Sequence, residues 1–213
     1  MPMMSSLRAP LQAGLAELNI EQAGLADRLL DYLALLVKWN RAFNLTAVRD
    51  PEQMLYRHLL DSLAILPWVQ GARLLDVGSG AGLPGIPLAL ARPQLQVVLL
   101  DSNGKKARFL RQAKLELDLG NVEVAETRVE AYGAEPRFDS IVSRAFASLG
   151  DFVRLTEPLL APTGRWLAMK GRLDENELAE VHKKRYQLHC HRLTVPGLDA
   201  LRHLVEIRRN PAG

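Results

Sequence analysis

The sequence predicts an α/β fold in which a helical extension precedes a mostly parallel, doubly wound sheet that closes with an antiparallel hairpin. Leucines recur at helical spacing through the first third of the chain. From about residue 72 short apolar runs alternate with helical periods, the pattern of βαβ units, and the final segment reads as two strands joined by a short turn. The expected division is a helical extension over 1–70 and a sheet domain over 71–213, with the boundary near Pro67 to Gly71.

Leu11, Leu15 and Leu18 stand at i, i+4 and i+7, and Leu25, Leu29, Leu33 and Leu36 continue that spacing to about Trp39, so both segments are amphipathic helices. A third helix opens at Asp50-Pro51-Glu52-Gln53, where Asp suits the N-cap, Pro the first helical position and Gln the capping-box position. Its buried stripe is Leu55, Leu59, Leu63 and Leu66. Arg73 to Val77 is a short strand before a glycine-rich turn, and Leu95 to Leu100 is nearly all apolar, as a strand covered on both faces requires. Ser102 is placed to cap a helix reaching about Leu117, which Gly120 would end. Asn121 to Ala125, Phe138 to Ser143 and Arg165 to Met169 supply further strands, with capping boxes expected at Ser148/Asp151 and Asp174/Glu177. Tyr186 to Val195 and Arg202 to Arg208 flank the turn Pro196-Gly197-Leu198-Asp199 and form the hairpin.

With 213 residues, 48% of them hydrophobic and 24% charged, the chain has the composition of an ordinary globular domain. No apolar run approaches the roughly 20 residues of a spanning helix, and Met1 to Pro10 lacks the apolar core of a signal peptide. A soluble, cytoplasmic protein is the expectation, and a lone cysteine, Cys190, agrees with a reducing compartment. Nothing indicates a protein partner or a membrane, and a monomer is expected. The net charge of +3 permits a polyanionic partner without naming one.

The central motif is Asp76-Val77-Gly78-Ser79-Gly80-Ala81-Gly82-Leu83-Pro84-Gly85, between a strand and a helix. Residues 80, 82 and 85 match GxGxxG, a pattern shared by dinucleotide sites, other adenosine cofactors and tight turns that bind nothing. Asp76, two residues before the first glycine, can face the cationic end of a ligand, whereas a pyrophosphate would be repelled by it. Asp101 ends the second strand, where a carboxylate can accept hydrogen bonds from a ribose diol. Together with the terminal hairpin, which suits methyltransferase sheets, these features favour S-adenosylmethionine over a nicotinamide cofactor.

The stretch from Leu75 through Pro87 resembles the nucleotide turn of the bacterial small-subunit (16S) ribosomal RNA guanine-N7 methyltransferase G family, formerly called glucose-inhibited division protein B. Lys38-Trp39-Asn40, Phe43-Asn44-Leu45-Thr46, Arg57-His58-Leu59-Leu60-Asp61-Ser62, Leu100-Asp101-Ser102, Ser143-Arg144-Ala145-Phe146-Ala147 and Met169-Lys170-Gly171 resemble its pattern as well. The resemblance covers nearly the whole chain. It implies a class I, Rossmann-like methyltransferase fold, methyl transfer from S-adenosylmethionine to N7 of a guanine, and small-subunit ribosomal RNA or the subunit itself as partner. It also implies cofactor against Gly78 and Leu83, adenine near Val129 and Glu130, and Arg144 as a cofactor-site residue. With Gly80, Gly82 and Asp101 from the turn and second strand, these make the candidate cofactor set; Arg144 and Lys170 are the candidate catalytic residues.

The residues also bear on the methyl acceptor. Methylation at pyrimidine carbon 5 needs a cysteine nucleophile, yet Cys190 falls on the hairpin, away from the ligand edge of the sheet. Exocyclic-amine methyltransferases share an Asn/Asp-Pro-Pro-aromatic turn after strand four, where this chain has Ser143-Arg144-Ala145-Phe146. Guanine N7 carries a free lone pair and needs no general base, so alignment would supply the acceleration. Arg144 could hold a carboxylate or phosphate bidentately or be a surface arginine, and Lys170 has the same two readings. His58 and Asp61, at i and i+3, are expected to pair locally rather than act in catalysis. His189-Cys190-His191 lacks further ligands at the usual spacing, so no metal site is expected.

Lys105, Lys106, Arg108, Arg111 and Lys114 share one helix and read either as a solvated face or as a phosphate-contacting patch; His182-Lys183-Lys184-Arg185 reads the same two ways. Competing functions are a cofactor-binding module that transfers nothing, a methyltransferase with another substrate, and a nicotinamide-dependent oxidoreductase.

Overall fold

The computed structural model describes residues 2–210 except 134, 145, 147, 182 and 183. Among these, seven strands form one sheet: β1 (Arg73–Val77), β2 (Gln96–Leu100), β3 (Val122–Ala125), β4 (Phe138–Ser143), β5 (Leu160–Lys170), β6 (Tyr186–Arg192) and β7 (His203–Arg209), in the order β3-β2-β1-β4-β5-β7-β6. The pairs from β3 through β5 are parallel and those of β7 with β5 and β6 are antiparallel. The order reverses between β1 and β4, which leaves a crevice at the carboxyl ends where ligands of doubly wound sheets bind. The sheet class and the closing antiparallel pair are those expected, but β6 ends at Arg192 rather than Val195, so residues 193–202 connect it to β7 in place of a short turn at Pro196 to Asp199. β5 starts five residues earlier than the apolar run at Arg165 suggested.

Helices cover both faces. The N-terminal segment supplies α1 (Pro2–Ser6), α2 (Arg8–Glu17), α3 (Leu25–Phe43), α4 (Pro51–Met54) and α5 (Asp61–Leu63), the last two joined by a π turn over Leu55–Leu60. The sheet region adds α6 (Gly85–Ala91), α7 (Gly104–Glu116), α8 (Leu149–Thr156) and α9 (Glu175–Ala179). Successive residues of a strand point to opposite faces, so the apolar runs split between two cores. Leu74, Val97, Leu99 and Val142 join a core with Leu11, Leu29, Leu33, Leu36, Leu59 and Leu63 from the N-terminal helices. Leu75, Val98, Ile141 and Trp166 join a second core with Phe152 and Val153 of α8. Each fully buried leucine contributes on the order of 2 kcal/mol, so the N-terminal helices are anchored on the sheet by one continuous apolar layer.

The caps show where local signals held. Ser148 Oγ accepts from the Asp151 N–H at 3.1 Å, as the capping pattern requires. Asp174 accepts from Asn176 N, and the Glu177 expected to complete its box is drawn off to Lys170 instead. The cap of α7 is Asn103, not Ser102: its Oδ1 accepts from Lys105 N at 3.0 Å and Lys106 N at 3.3 Å. At its other end Leu117 closes the helix and Asp118, at φ 48°, takes the left-handed position that Gly120 was expected to fill.

Candidate functional site

The turn after β1 is held from beneath by the end of β2. The N–H groups of Gly78 and Ser79 both donate to the Leu100 carbonyl, at 2.8 and 3.1 Å. Gly78, Gly80 and Gly82 stand at φ 72°, 59° and 84°, where a side chain would be strained. A Cβ at Gly80 would meet nothing nearer than the Gly78 oxygen at 3.8 Å, whereas one at Gly82 would lie 2.4 Å from Ile86 Cδ1. Gly80 therefore borders open space, and Gly82 lets α6 pack against the turn.

Asp76 and Asp101 stand at this turn. The Asp76 side chain is fully buried; Oδ2 accepts from Gly85 N at 2.8 Å, and Oδ1 has no hydrogen-bond partner among the described residues. Burial pushes its carboxyl up to about 7, against the Gly85 hydrogen bond and the charge of Arg144, which pull it down. A buried acceptor left unpaired costs free energy, so Oδ1 is poised to take a donor or cation. Asp101 is differently placed: Oδ2 accepts from Gly80 N at 2.9 Å and Oδ1 from Asn103 N at 2.9 Å, with Lys106 Nζ 3.7 Å from Oδ2. It braces the turn while facing the cleft.

Arg144 follows β4. Its Nη1 is buried, lies 3.8 Å from Asp61 Oδ2, and makes no hydrogen bond among the described residues. Asp61 is itself buried and accepts from Arg202 Nε at 2.9 Å, so it links the π-turn helix to the hairpin. Burial pushes the Asp61 carboxyl above its ordinary range despite both guanidiniums. His58 and Asp61 do not pair with each other, contrary to the i, i+3 expectation, because each is taken by a partner from elsewhere. His58 Nδ1 lies 2.9 Å from the Arg57 carbonyl, which can only accept, so Nδ1 carries the proton and Nε2 accepts from the Thr46 hydroxyl at 2.8 Å. Burial and the nearby Arg144 lower the His58 pKa to about 4, which leaves the ring neutral. Lys170, at the end of β5, pairs with Glu177 and donates to the Phe146 carbonyl at 3.4 Å.

A cleft of about 360 Å³ at the carboxyl ends of β1 and β2 is lined by Gly78, Asp101, Val129, Glu130, Lys106 and Phe146, among others. The structure thus gathers Gly78, Asp101, Val129 and Glu130 around one space. Gly80 touches that group through its hydrogen bond to Asp101, and Gly82 and Leu83 lie behind the turn, Leu83 donating to the Ser79 carbonyl. Arg144 and Lys170 stand after β4 and on β5 rather than in the cleft lining.

Lys106 and Phe146 line the cleft, although the sequence placed Lys106 only in the basic helix face and Phe146 only in a stretch of family resemblance, and it did not single out Tyr32. Tyr32 is fully buried in α3, and its hydroxyl donates to the Ala81 carbonyl at 2.7 Å, so the extension grips the glycine turn directly. Only the oddity of a tyrosine on an apolar helix face hinted at it. The expectation for His189, Cys190 and His191 concerned a strand at the sheet edge: Cys190 is exposed on β6, and His191 pairs with Glu206 at 3.0 Å.

A doubly wound sheet with an antiparallel final strand pair, a glycine turn and an acid ending β2 defines the class I methyltransferase fold. Solved structures agree on the fold: an N-methyltransferase, NodS, from Bradyrhizobium japonicum WM9 gives a TM-score of 0.54 at 16% identity, covering 73% of this chain and 95% of that one. A Klebsiella pneumoniae structure assigned as an O-methyltransferase gives a TM-score of 0.62 at 14% identity over 98% of this chain and 99% of its own. The particular family follows from sequence: the model for rRNA small subunit methyltransferase G matches residues 26–205, and the chain belongs to that family. A relative named Ribosomal RNA small subunit methyltransferase G from Chromohalobacter salexigens is 57% identical over 97% of this chain and all (100%) of its own length. One of the same name from Legionella pneumophila is 50% identical over 95% of each.

Proposed function

We propose that this protein transfers a methyl group from S-adenosylmethionine to N7 of a specific guanine in small-subunit (16S) ribosomal RNA. The observation that carries the reading is the pair of strand-end carboxylates in a chain of this family: Asp101 faces the cleft, and Asp76 keeps a buried oxygen unpaired beside Arg144.

The residues fit the cofactor end by end. Gly78 and Gly80 leave room for close approach, Asp101 offers acceptor capacity to a ribose diol, and Val129, Glu130 and Phe146 wall the far side. Asp76 Oδ1 and Arg144 Nη1, the latter only in a 3.8 Å ion pair with Asp61, make no hydrogen bond among the described residues and offer an acceptor and a donor, the complement of an ammonium and a carboxylate. When bound, S-adenosylmethionine supplies an electrophilic methyl on a positively charged sulfur. Gly82, Leu83 and Tyr32 fix the turn from behind.

Guanine N7 suits this site because its lone pair needs no proton removed. Three side chains near Arg144 that could serve as base are committed elsewhere: His58 uses both ring nitrogens, Asp61 binds Arg202, and Lys170 pairs with Glu177. Alignment inside a partly enclosed cleft is then the main source of acceleration. Arg144 and Lys170 act here as positioning cations at the transfer end, not as proton carriers.

The experiment incubates purified protein with isotopically labelled S-adenosylmethionine and small-subunit ribosomal RNA, then locates the label by mass spectrometry. One labelled N7-methylguanosine is expected. Cofactor binding with no label transferred would make the protein a binding module, and a thermal shift with a nicotinamide cofactor alone would make it an oxidoreductase.

A further inference from the structure

The basic helix that had two readings in the sequence lines a groove distinct from the cofactor cleft. The groove, about 780 Å³, runs along the exposed face of α7 and is lined by Phe43, Lys105, Arg108, Arg111, Leu115 and Glu126, among others. Lys105, Arg108 and Arg111 are spaced at i, i+3 and i+6, roughly 4.5 Å of rise per step. Arg111 pairs with Glu126 at 2.7 Å, which offsets the one acid in the lining. Lys105 and Arg108 are exposed and make no ion pair among the described residues, so the concavity keeps a net positive charge.

A solvated helix face does not call for an aromatic ring brought from another element, yet Phe43 arrives at the groove from the end of α3. Its ring, half-buried, stacks on Trp39 at 5.1 Å. Leu115, 76% exposed, marks the far end. The groove also abuts the cleft along two segments: Gly104 and Lys105 line the groove where Ser102 and Lys106 line the cleft, and Glu126 lines the groove where Thr127 lines the cleft. Cations spaced along a channel with an aromatic surface among them make a backbone-tracking site for single-stranded nucleic acid.

We propose that this groove holds the ribosomal RNA strand flanking the methylated guanine, Lys105 and Arg108 contacting phosphates and Phe43 a base. The inference rests on the methyltransferase reading and assigns the RNA grip to a surface outside the cofactor site. Because these contacts are mostly ionic, they set affinity and its salt dependence and leave the transfer step untouched.

The test uses the full chain and small-subunit ribosomal RNA, comparing wild type with the double variant Lys105→Ala/Arg108→Ala and with Phe43→Leu. The double variant is expected to lose affinity on the order of tenfold at physiological salt, with the slope of log K against log salt shallower by about 1.4, two phosphates at roughly 0.7 each for a single strand. Phe43→Leu should weaken RNA binding with the slope unchanged, and Arg108→Lys should retain the slope. Calorimetric affinity for S-adenosylmethionine and the single-turnover rate at saturating RNA should match wild type in every variant. If wild type methylates the RNA and the double variant matches it in affinity and slope, the groove is not the RNA track although the activity stands. A wild type that methylates nothing overturns the activity instead. A double variant that binds naked RNA normally and loses only the assembled subunit would assign the groove to a ribosomal protein and overturn the RNA contact.

Discussion

At the ends of β1 and β2 the charged groups are held by backbone: Gly85 N on Asp76, and Gly80 N and Asn103 N on Asp101. At the ends of β4 and β5 they are held by side chains from far along the sequence, Arg144 by Asp61 and Lys170 by Glu177, with Asp61 tied in turn to Arg202. A backbone N–H cannot swing away, so the first side is rigid and its disruption carries the larger effect. A side-chain ion pair can lengthen or exchange partners, so the second side should respond by degrees.

Gly78→Val gives the sharpest break. At φ 72° a β-branched residue is strained, and Gly78 lines the cleft, so S-adenosylmethionine affinity should fall sharply by calorimetry. A folded mutant with normal affinity would take Gly78 out of the site.

Asp101→Ala comes next, with two separable losses. Removing acceptors for two backbone N–H groups should lower folding stability by about 1–3 kcal/mol, and losing the ribose contact should weaken the cofactor by about 1.5–3 kcal/mol. Asp101→Asn keeps one acceptor oxygen and should restore most of the stability and less of the affinity. If both quantities recover together, Asp101 acts only through the turn.

On the other side, Arg144→Ala should reduce cofactor affinity and single-turnover rate together, by about tenfold each, because an arginine that fixes the donor contributes to both. Asp61→Asn should produce a smaller version of the same change, since it loosens Arg144 without removing it. Arg144→Ala with both quantities intact would return that residue to the surface. His58→Ala is expected to slow reaction through lost positioning, without rescue by imidazole and without a rate that rises with hydroxide.

The smallest effect is one of pH, and it has opposite signs on the two sides. His58 is lowered from 6.5 to about 4, so the unfolded chain binds more protons between those values. Its contribution to stability is in place above pH 6.5 and is lost as pH falls toward and through 4. Asp76 is raised from 3.8 to about 7, so its contribution is complete below pH 3.8 and is lost as pH rises toward and through 7. The two slopes, each at most about 1.4 kcal/mol per pH unit, oppose one another across the shared window. Asp76→Asn should uncover the His58 slope, so urea denaturation of this variant should show stability rising with pH more steeply than in wild type. Parallel curves for the two proteins would mean that Asp76 does not titrate in that range.

The same division explains what could be read from the sequence. The glycine turn, the strand before it and Asp101 were legible because the hydrogen bonds on Asp76, Gly78, Ser79 and Asp101 are made within the strand–turn–helix unit or at the end of the adjacent strand. The cap at Ser148 was legible for the same reason. Asn103 took the α7 cap from Ser102, a one-residue shift that neighbouring cap-forming side chains leave undecided. The pairing of Asp61 with Arg202 spans 141 positions, and the Tyr32 bond to Ala81 spans 49, so no local pattern encodes either. The π turn over Leu55–Leu60 also escaped, because a stripe of leucines fits helical spacing whether or not one turn widens.

The central claim is tested most directly by mapping modified guanines in small-subunit ribosomal RNA from cells with and without this gene. One N7-methylguanosine should disappear with the gene and return when purified protein and S-adenosylmethionine are added to the unmodified RNA or subunit. An unchanged map, or a lost methyl at any atom other than guanine N7, would contradict it.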